Sequence, residues 1–213
     1  GPCPVQTPGP TTLPEPEVTF IPSPSFGQRN LLSEVDTIVM HTTEINLAGT
    51  INIFEDRRNS VSSHYVIGGG GDIFQMVDLQ DSAWHATYYN SRSIGIEMVG
   101  FAGSRATWNE NNIAALVDLL AWLYQAYPDI PLVHPSGDAY DFPNDTYTQA
   151  GLVAHSQVQP WNKSDPGPHF PWDDVLDRVG AILDAEAVPE PSSVAALASG
   201  LVLLAARRRR VAA

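Results

Sequence analysis

"DTIVMHT" (Asp36–Thr42) decides how the rest of the chain is read. Four apolar or β-branched residues run from Thr37 to Val39 and on to Met40, with no alternation of polar positions. A short continuous run of this kind reads as a strand buried on both faces. It ends on an imidazole, His41. Working outward, "SIGIEMVG" (93–100) and "GLVAH" (151–155) read as two more buried strands. "SHYVIGGGGDIFQMV" (63–77) is two β-prone runs joined by glycines and an aspartate, a hairpin. Its four glycines do not make a phosphate loop, because no Lys-Ser/Thr pair follows them. Helices fill the gaps. In "NLAGTINIFEDRR" (46–58), Leu47, Ile51 and Phe54 recur at helical spacing. "TWNENNIAALVDLLAWLYQAY" (107–127) is the strongest helix, with Thr107 and Glu110 at capping-box spacing. "WDDVLDRVGAILDAE" (172–186) is the last, with acids in its first turn. Strands alternating with helices predict an α/β layered fold. Residues 134–150, rich in Pro, Asp, Asn and Tyr, read as a long loop.

Both ends differ from this block. Eight of the 18 prolines lie in residues 1–25, which predicts a disordered, extended arm over residues 1–17 and not a packed element. The single cysteine, Cys3, excludes an internal disulfide and reads as a free thiol. The first residue is Gly rather than Met, which fits an N-terminal export signal removed or omitted. At the other end, "VPEPSS" (188–193) precedes an apolar run, Val194–Ala206, and four arginines, Arg207 to Arg210. Thirteen apolar residues fall short of the roughly 20 that a membrane-spanning helix needs. The arginines would hold their end on the cytoplasmic side. Net charge is −13, and without those four of the eleven basic residues it falls to −17. No basic stripe remains to displace phosphate counterions, so nucleic acid is excluded as a partner.

The chemistry gathers on histidines. There are six: His41, His64, His85, His134, His155 and His169. His41 and His155 each end an apolar strand, and carboxyl ends of strands are where ligand sites form in α/β sheets. Two imidazoles and one carboxylate leave a fourth tetrahedral position open, as in catalytic zinc sites. Asp165 is the natural third ligand. Pro166 and Gly167 would restrict the backbone before them and turn it sharply after. Taken alone, Asp165-Pro166-Gly167 reads more readily as an ordinary turn. His134 is the alternative to His155, although it precedes a proline in the loop. His64 reads as a hairpin residue that packs or hydrogen-bonds, and His169 as a surface residue.

"IVMHTTE", "VSSHYVI", "WHA", "SIGIEMVG" and "KSDPG" stand in the order and approximate spacing of type-2 N-acetylmuramoyl-L-alanine amidases. The chain resembles that family over about 130 to 150 residues, and "IPSPSFGQRN" (21–30) resembles its leading segment. The resemblance implies a central mixed β-sheet flanked by helices, shared with peptidoglycan recognition proteins, in a domain spanning 18–186. It implies a bound Zn2+ held by His41, His155 and Asp165, with Lys163 and Glu97 catalytic. Lys163 would face the developing oxyanion, and Glu97 would take the proton of the attacking water. His85, and beside it Trp84, would line the substrate groove. Ser63 stands where some phage-type members carry a catalytic tyrosine. Ala154 departs from the glycine usual before the second ligand. The implied activity is hydrolysis of the amide between N-acetylmuramic acid and L-alanine of peptidoglycan. The alternative is a recognition module that binds the wall without cutting it.

Residues 187–213 resemble a PEP-CTERM sorting signal: Pro-Glu-Pro, a hydrophobic run and an arginine cluster. This implies export in a Gram-negative-type bacterium, to periplasm, cell surface or extracellular matrix. The tail would anchor the chain transiently in the membrane until a sorting protease removes it, so the mature protein would not be an integral membrane protein.

Overall fold

The computed structural model describes residues 7–29, 34–141, 144 and 146–187. Cys3 and the tail from residue 188 onward, with its apolar run and arginines, lie outside the described residues. Among the described residues, ten strands and four helices follow one another. They are β1 (Thr19–Phe20), β2 (Phe26–Gln28), β3 (Thr37–Thr42), α1 (Leu47–Glu55), β4 (Tyr65–Ile67), β5 (Ile73–Gln75), β6 (Asp81–Ala83) and β7 (Ser93–Met98). Then come α2 (Glu110–Ala126), β8 (Tyr140–Asp141), β9 (Thr146–Tyr147), β10 (Gly151–Ala154), α3 (His155–Val158) and α4 (Trp172–Ala187).

Six strands form the central sheet in the order β1-β5-β4-β7-β3-β10. Only β4 and β5, the predicted glycine-turn hairpin, pair antiparallel; the other neighbours are parallel. This is the mixed sheet expected. β3 sits between β7 and β10, and all six of its residues are buried. That is why "TIVMHT" lacks polar alternation: both faces of the strand are covered.

Alternate residues divide between the two faces. Ile38 and Met40 of β3, Ile94, Ile96 and Met98 of β7, Tyr65 and Ile67 of β4, and Leu152 of β10 join one core with α2 and α4. On α2, Leu116, Leu119, Leu120 and Leu123 are fully buried, each worth roughly 1.5–3 kcal/mol of apolar transfer. On the opposite face two smaller clusters stand apart. Val66 packs with Phe54 and Met76, flanked by Leu47 and Ile51 of α1. Val39 and Val153 pack with Ala86, Tyr89, Ala139, Tyr140 and Val158.

Three details depart from the sequence reading. The cap of α2 is Asn109, not Thr107. The Asn109 side chain accepts from the backbone N–H groups of Asn111 and Asn112, and Asn112 Oδ1 accepts from Asn109 N. Thr107 ends a preceding 3₁₀ turn and its hydroxyl bonds to both backbone groups of Phe101. The predicted 134–150 loop contains the two-stranded ribbon β8–β9. The proline-rich segment is extended, but from Gly9 it lies along α2: Gly9 N donates to Ala126 O, and Thr12 N and Leu13 N donate to Gln125 Oε1.

Candidate active site

Strand register assembles the site. In the β3–β7 pair, His41 lies opposite Glu97. In the β3–β10 pair, Ala154 lies opposite Met40, so the next residue along, His155, stands beside His41. The three side chains share the face away from α2, at the carboxyl ends of parallel strands. α3 begins at His155, so the chain turns as soon as the imidazole is delivered.

The loop after α3 returns Asp165 to the same spot. Asp165 Oδ2 lies 3.0 Å from His155 Nδ1 and 3.3 Å from His41 Nδ1, and the two Nδ1 atoms are 2.9 Å apart. The Asp165 carbonyl accepts from Ser156 N, the Asp165–Pro166 peptide is cis, and Gly167 takes φ +88°. A Cβ on Gly167 would collide with the carbonyl of Ala102. Only glycine lets this loop press against the β7 exit loop. His41 and His155 are 2 % and 4 % exposed.

The donor set fits a cation. His155 Nε2 faces Gln159 Oε1 at 2.8 Å, so that nitrogen carries the ring proton and Nδ1 presents a lone pair. Burial opposes the charge on Asp165, but the two imidazoles beside it outweigh that and hold the carboxyl far below the ordinary range. Burial, then the neighbouring His155, lowers His41 to about 4, so it stays neutral at physiological pH. Two imidazoles and a carboxylate thus converge within ligand-sharing distance, a set suited to zinc with one position left open.

Glu97 is driven the other way. Burial first, and then the charge of Asp165, push its carboxyl up to about 8, with Lys163 opposing. Its Oε2 is buried with no hydrogen-bond partner among the described residues. Lys163 is exposed on the loop, its backbone N–H bonded to Gln159 O. Its charge acts on both His41 and Glu97.

The remaining expected residues stand outside the three-donor cluster. The His85 imidazole lies against His41, Nδ1 to Nε2 at 2.9 Å, with the rings edge-on. Trp84 is half-buried, its backbone N–H bonded to Ser62 Oγ and its indole nitrogen beside Gly27. His134 does not approach the cluster: its Nδ1 donates to Leu152 O and its ring stacks on Trp172 at 3.7 Å. His64 is fully buried and accepts from Gly95 N, the hairpin role expected. Ser63 is buried as well, with its hydroxyl unpartnered among the described residues.

Sequence reading missed Glu44 and Gln159. Glu44 adopts φ +55° and its carboxylate accepts from Thr42 Oγ1 and Ala102 N, tying the β3 exit to the β7 exit. Gln159 was signalled by its spacing of four from His155, one helical turn.

Residues 31–168 match the family described as N-acetylmuramoyl-L-alanine amidase. The chain belongs to that family. This amidase is 30% identical over 171 residues to N-acetylmuramoyl-L-alanine amidase A of Achromobacter lyticus, covering 76% of this chain and 93% of the relative. It is 29% identical over 177 residues to the amidase AmiD of Escherichia coli K12, covering 72% of this chain and 57% of AmiD. Among solved structures it shares its fold with a selenomethionine AmpD derivative, at a TM-score of 0.60 and 23% identity, over 81% of this chain and 99% of that one. The amidase LysC from Clostridium intestinale has the same fold, at a TM-score of 0.59 and 19% identity over 78% of this chain and 98% of LysC. Residues 187–210 match the PEP-CTERM protein-sorting motif. Among the described residues no helix is long and apolar enough to cross a membrane.

Proposed function

We propose that this amidase is a zinc enzyme that hydrolyses the amide between N-acetylmuramic acid and L-alanine in peptidoglycan. One observation carries the reading: His41, His155 and Asp165 offer three donor atoms to one point, with Glu97 next to His41 in strand register. A recognition module would need none of that chemistry.

In this reading His41 Nδ1, His155 Nδ1 and Asp165 Oδ2 hold zinc, which when bound supplies Lewis acidity to the scissile carbonyl and to water. Glu97, in its ionised form, would accept a proton from the attacking water and deliver it to the departing amine of L-alanine. A carboxyl whose surroundings favour the protonated form holds that proton long enough to pass it on. Lys163 sets a positive charge beside the oxygen that becomes negative as the carbonyl is attacked. The buried walls of Val66 and Val153 keep bulk water from one side of the cluster, which strengthens each of these interactions.

The sorting motif at 187–210 supports export through a sorting system. In this reading the envelope is of Gram-negative type, Val194–Ala206 is a transient anchor held by Arg207 to Arg210, and proteolysis releases the domain. The mature domain then acts on peptidoglycan from outside the cytoplasm.

Metal analysis combined with amino-terminus release from purified cell wall tests the mechanism. The purified protein is expected to carry about one zinc per chain. Asp165→Ala is expected to lose both the metal and the activity. Loss of zinc with activity intact would sink the mechanism.

A further inference from the structure

Resting on the zinc reading of His41, we propose that Ser93 and His85 form a hydrogen-bond relay that fixes which nitrogen of His41 is offered to the metal. His85 is thereby a positioning residue, not a wall of the substrate groove.

The relay follows from where each proton has to be. The Ser93 hydroxyl has one hydrogen, and Tyr89 O accepts it at 2.6 Å. Ser93 Oγ is then only an acceptor toward His85 Nε2, 3.2 Å away. His85 therefore carries its ring proton on Nε2 and presents a lone pair at Nδ1. That lone pair faces His41 Nε2 at 2.9 Å, so His41 carries its proton on Nε2. His41 Nδ1 is left bare, and it is this atom that points at His155 Nδ1 and Asp165 Oδ2. On the other ligand Gln159 Oε1 does the same work in one step, at 2.8 Å from His155 Nε2. Outer partners of this kind set ring orientation as well as tautomer.

Two independent features show that the fold makes room for His85. The first is Gly95, in the middle of the buried strand β7. A Cβ there would lie 2.6 Å from both Cγ and Nδ1 of His85. A central strand position ordinarily rewards a side chain, so glycine here marks the close approach of another group. The second is the turn beneath the ring. Asn90 Oδ1 accepts from the backbone N–H of both His85 and Ala86, which holds the His85 Cα in place. His85 is thus seated from below by Gly95, from the side by Asn90 and at its far nitrogen by Ser93.

The test is zinc affinity, measured by chelator competition on the full-length protein and four variants. Wild type must first bind zinc; failure there refutes the zinc reading itself and is separate from the outcomes below. His85→Ala is expected to weaken zinc binding about 10–100-fold. His85→Asn, whose Oδ1 stands where Nδ1 stood, is expected to restore most of it. Gly95→Ala, which changes no ligand and no relay atom, is expected to weaken binding by displacing the ring. Ser93→Ala is expected to weaken it less than His85→Ala. In nitrogen-correlated NMR of the metal-free protein, His41 should show its proton on Nε2 in wild type and His85→Asn, and a tautomer mixture in Ser93→Ala. Zinc affinity in His85→Ala equal to wild type would overturn the proposal. So would equal losses in His85→Ala and His85→Asn with both folded by circular dichroism, since that pattern means packing alone. Should His85→Ala fail to fold, the Ser93→Ala tautomer measurement decides: a single unchanged Nε2–H tautomer refutes the relay.

Discussion

Along β7, Ile94, Ile96 and Met98 face α2 and α4 in one continuous apolar core, while Gly95 and Glu97 face the other way. β3 repeats the division, with Ile38 and Met40 on the core side and Val39 and His41 opposite. The strands are the same; the two faces are made by alternate residues of each. The helical face is closed by long apolar helices and buries whole leucines. The other face is covered by two separate clusters, around Phe54 and around Tyr89, and the polar groups stand between them. Apolar burial on one face offsets the cost of burying the polar site groups on the other. Stability and chemistry should therefore separate by mutation.

Glu97→Gln on the polar face gives the largest expected effect. It should lower kcat by about 10²–10⁴-fold, read as the rate of new amino termini from purified wall. The metal-free variant should melt no lower than wild type, because the amide removes a buried ionisable group whose Oε2 has no partner among the described residues. A large drop in melting temperature would show that the two faces are coupled. Leu120→Ala on the helical face should do the reverse. It should cost about 2–5 kcal/mol in denaturant unfolding and leave kcat per folded molecule unchanged.

Acid should act through the polar face. Burial holds His41 at about 4, and burial together with neighbouring charges holds His64 and His85 well below their ordinary value. Their folded values lie below the unfolded value near 6.5. The unfolded chain therefore takes up protons that the folded chain refuses, and stability falls as pH drops below about 6.5. The expected slope is about 1.4 kcal/mol per pH unit for each histidine kept neutral. Unfolding of chelator-treated protein at pH 7.5 and pH 5.5 measures it; a flat profile would mean these rings are not held neutral. The smallest effect belongs to the end of α2. Asn109→Ala should cost about 1 kcal/mol, seen in thermal melting, with no change in kcat.

The helical face was legible in the sequence because its signal is repetition. Leu116, Leu120 and Leu123 announce a buried helix face, and "TIVMHT" announces a buried strand. The polar face was legible only in part. His41, Glu97, His155, Lys163 and Asp165 were singled out through motif order and strand ends, but what joins them is register between parallel strands. Register is set by packing, and no local pattern records it. The same limit hid the place of His85, whose ring meets His41 across 44 residues. Gly95 carries no such signal in the sequence, because only the fold sets His85 against it. The cap of α2 was misread for a different reason. Thr107 and Glu110 have capping-box spacing, but so do Asn109 and Asn112, and a bond to Phe101 already engages Thr107.

Mass spectrometry of peptidoglycan sacculi digested by the purified protein tests the central claim most directly. The expected products are stem peptides with a free L-alanine amino terminus and intact glycan strands, lost on chelation or in Glu97→Gln. Cleaved glycan, cleavage within the stem peptide, or binding to sacculi with no new amino termini would contradict it.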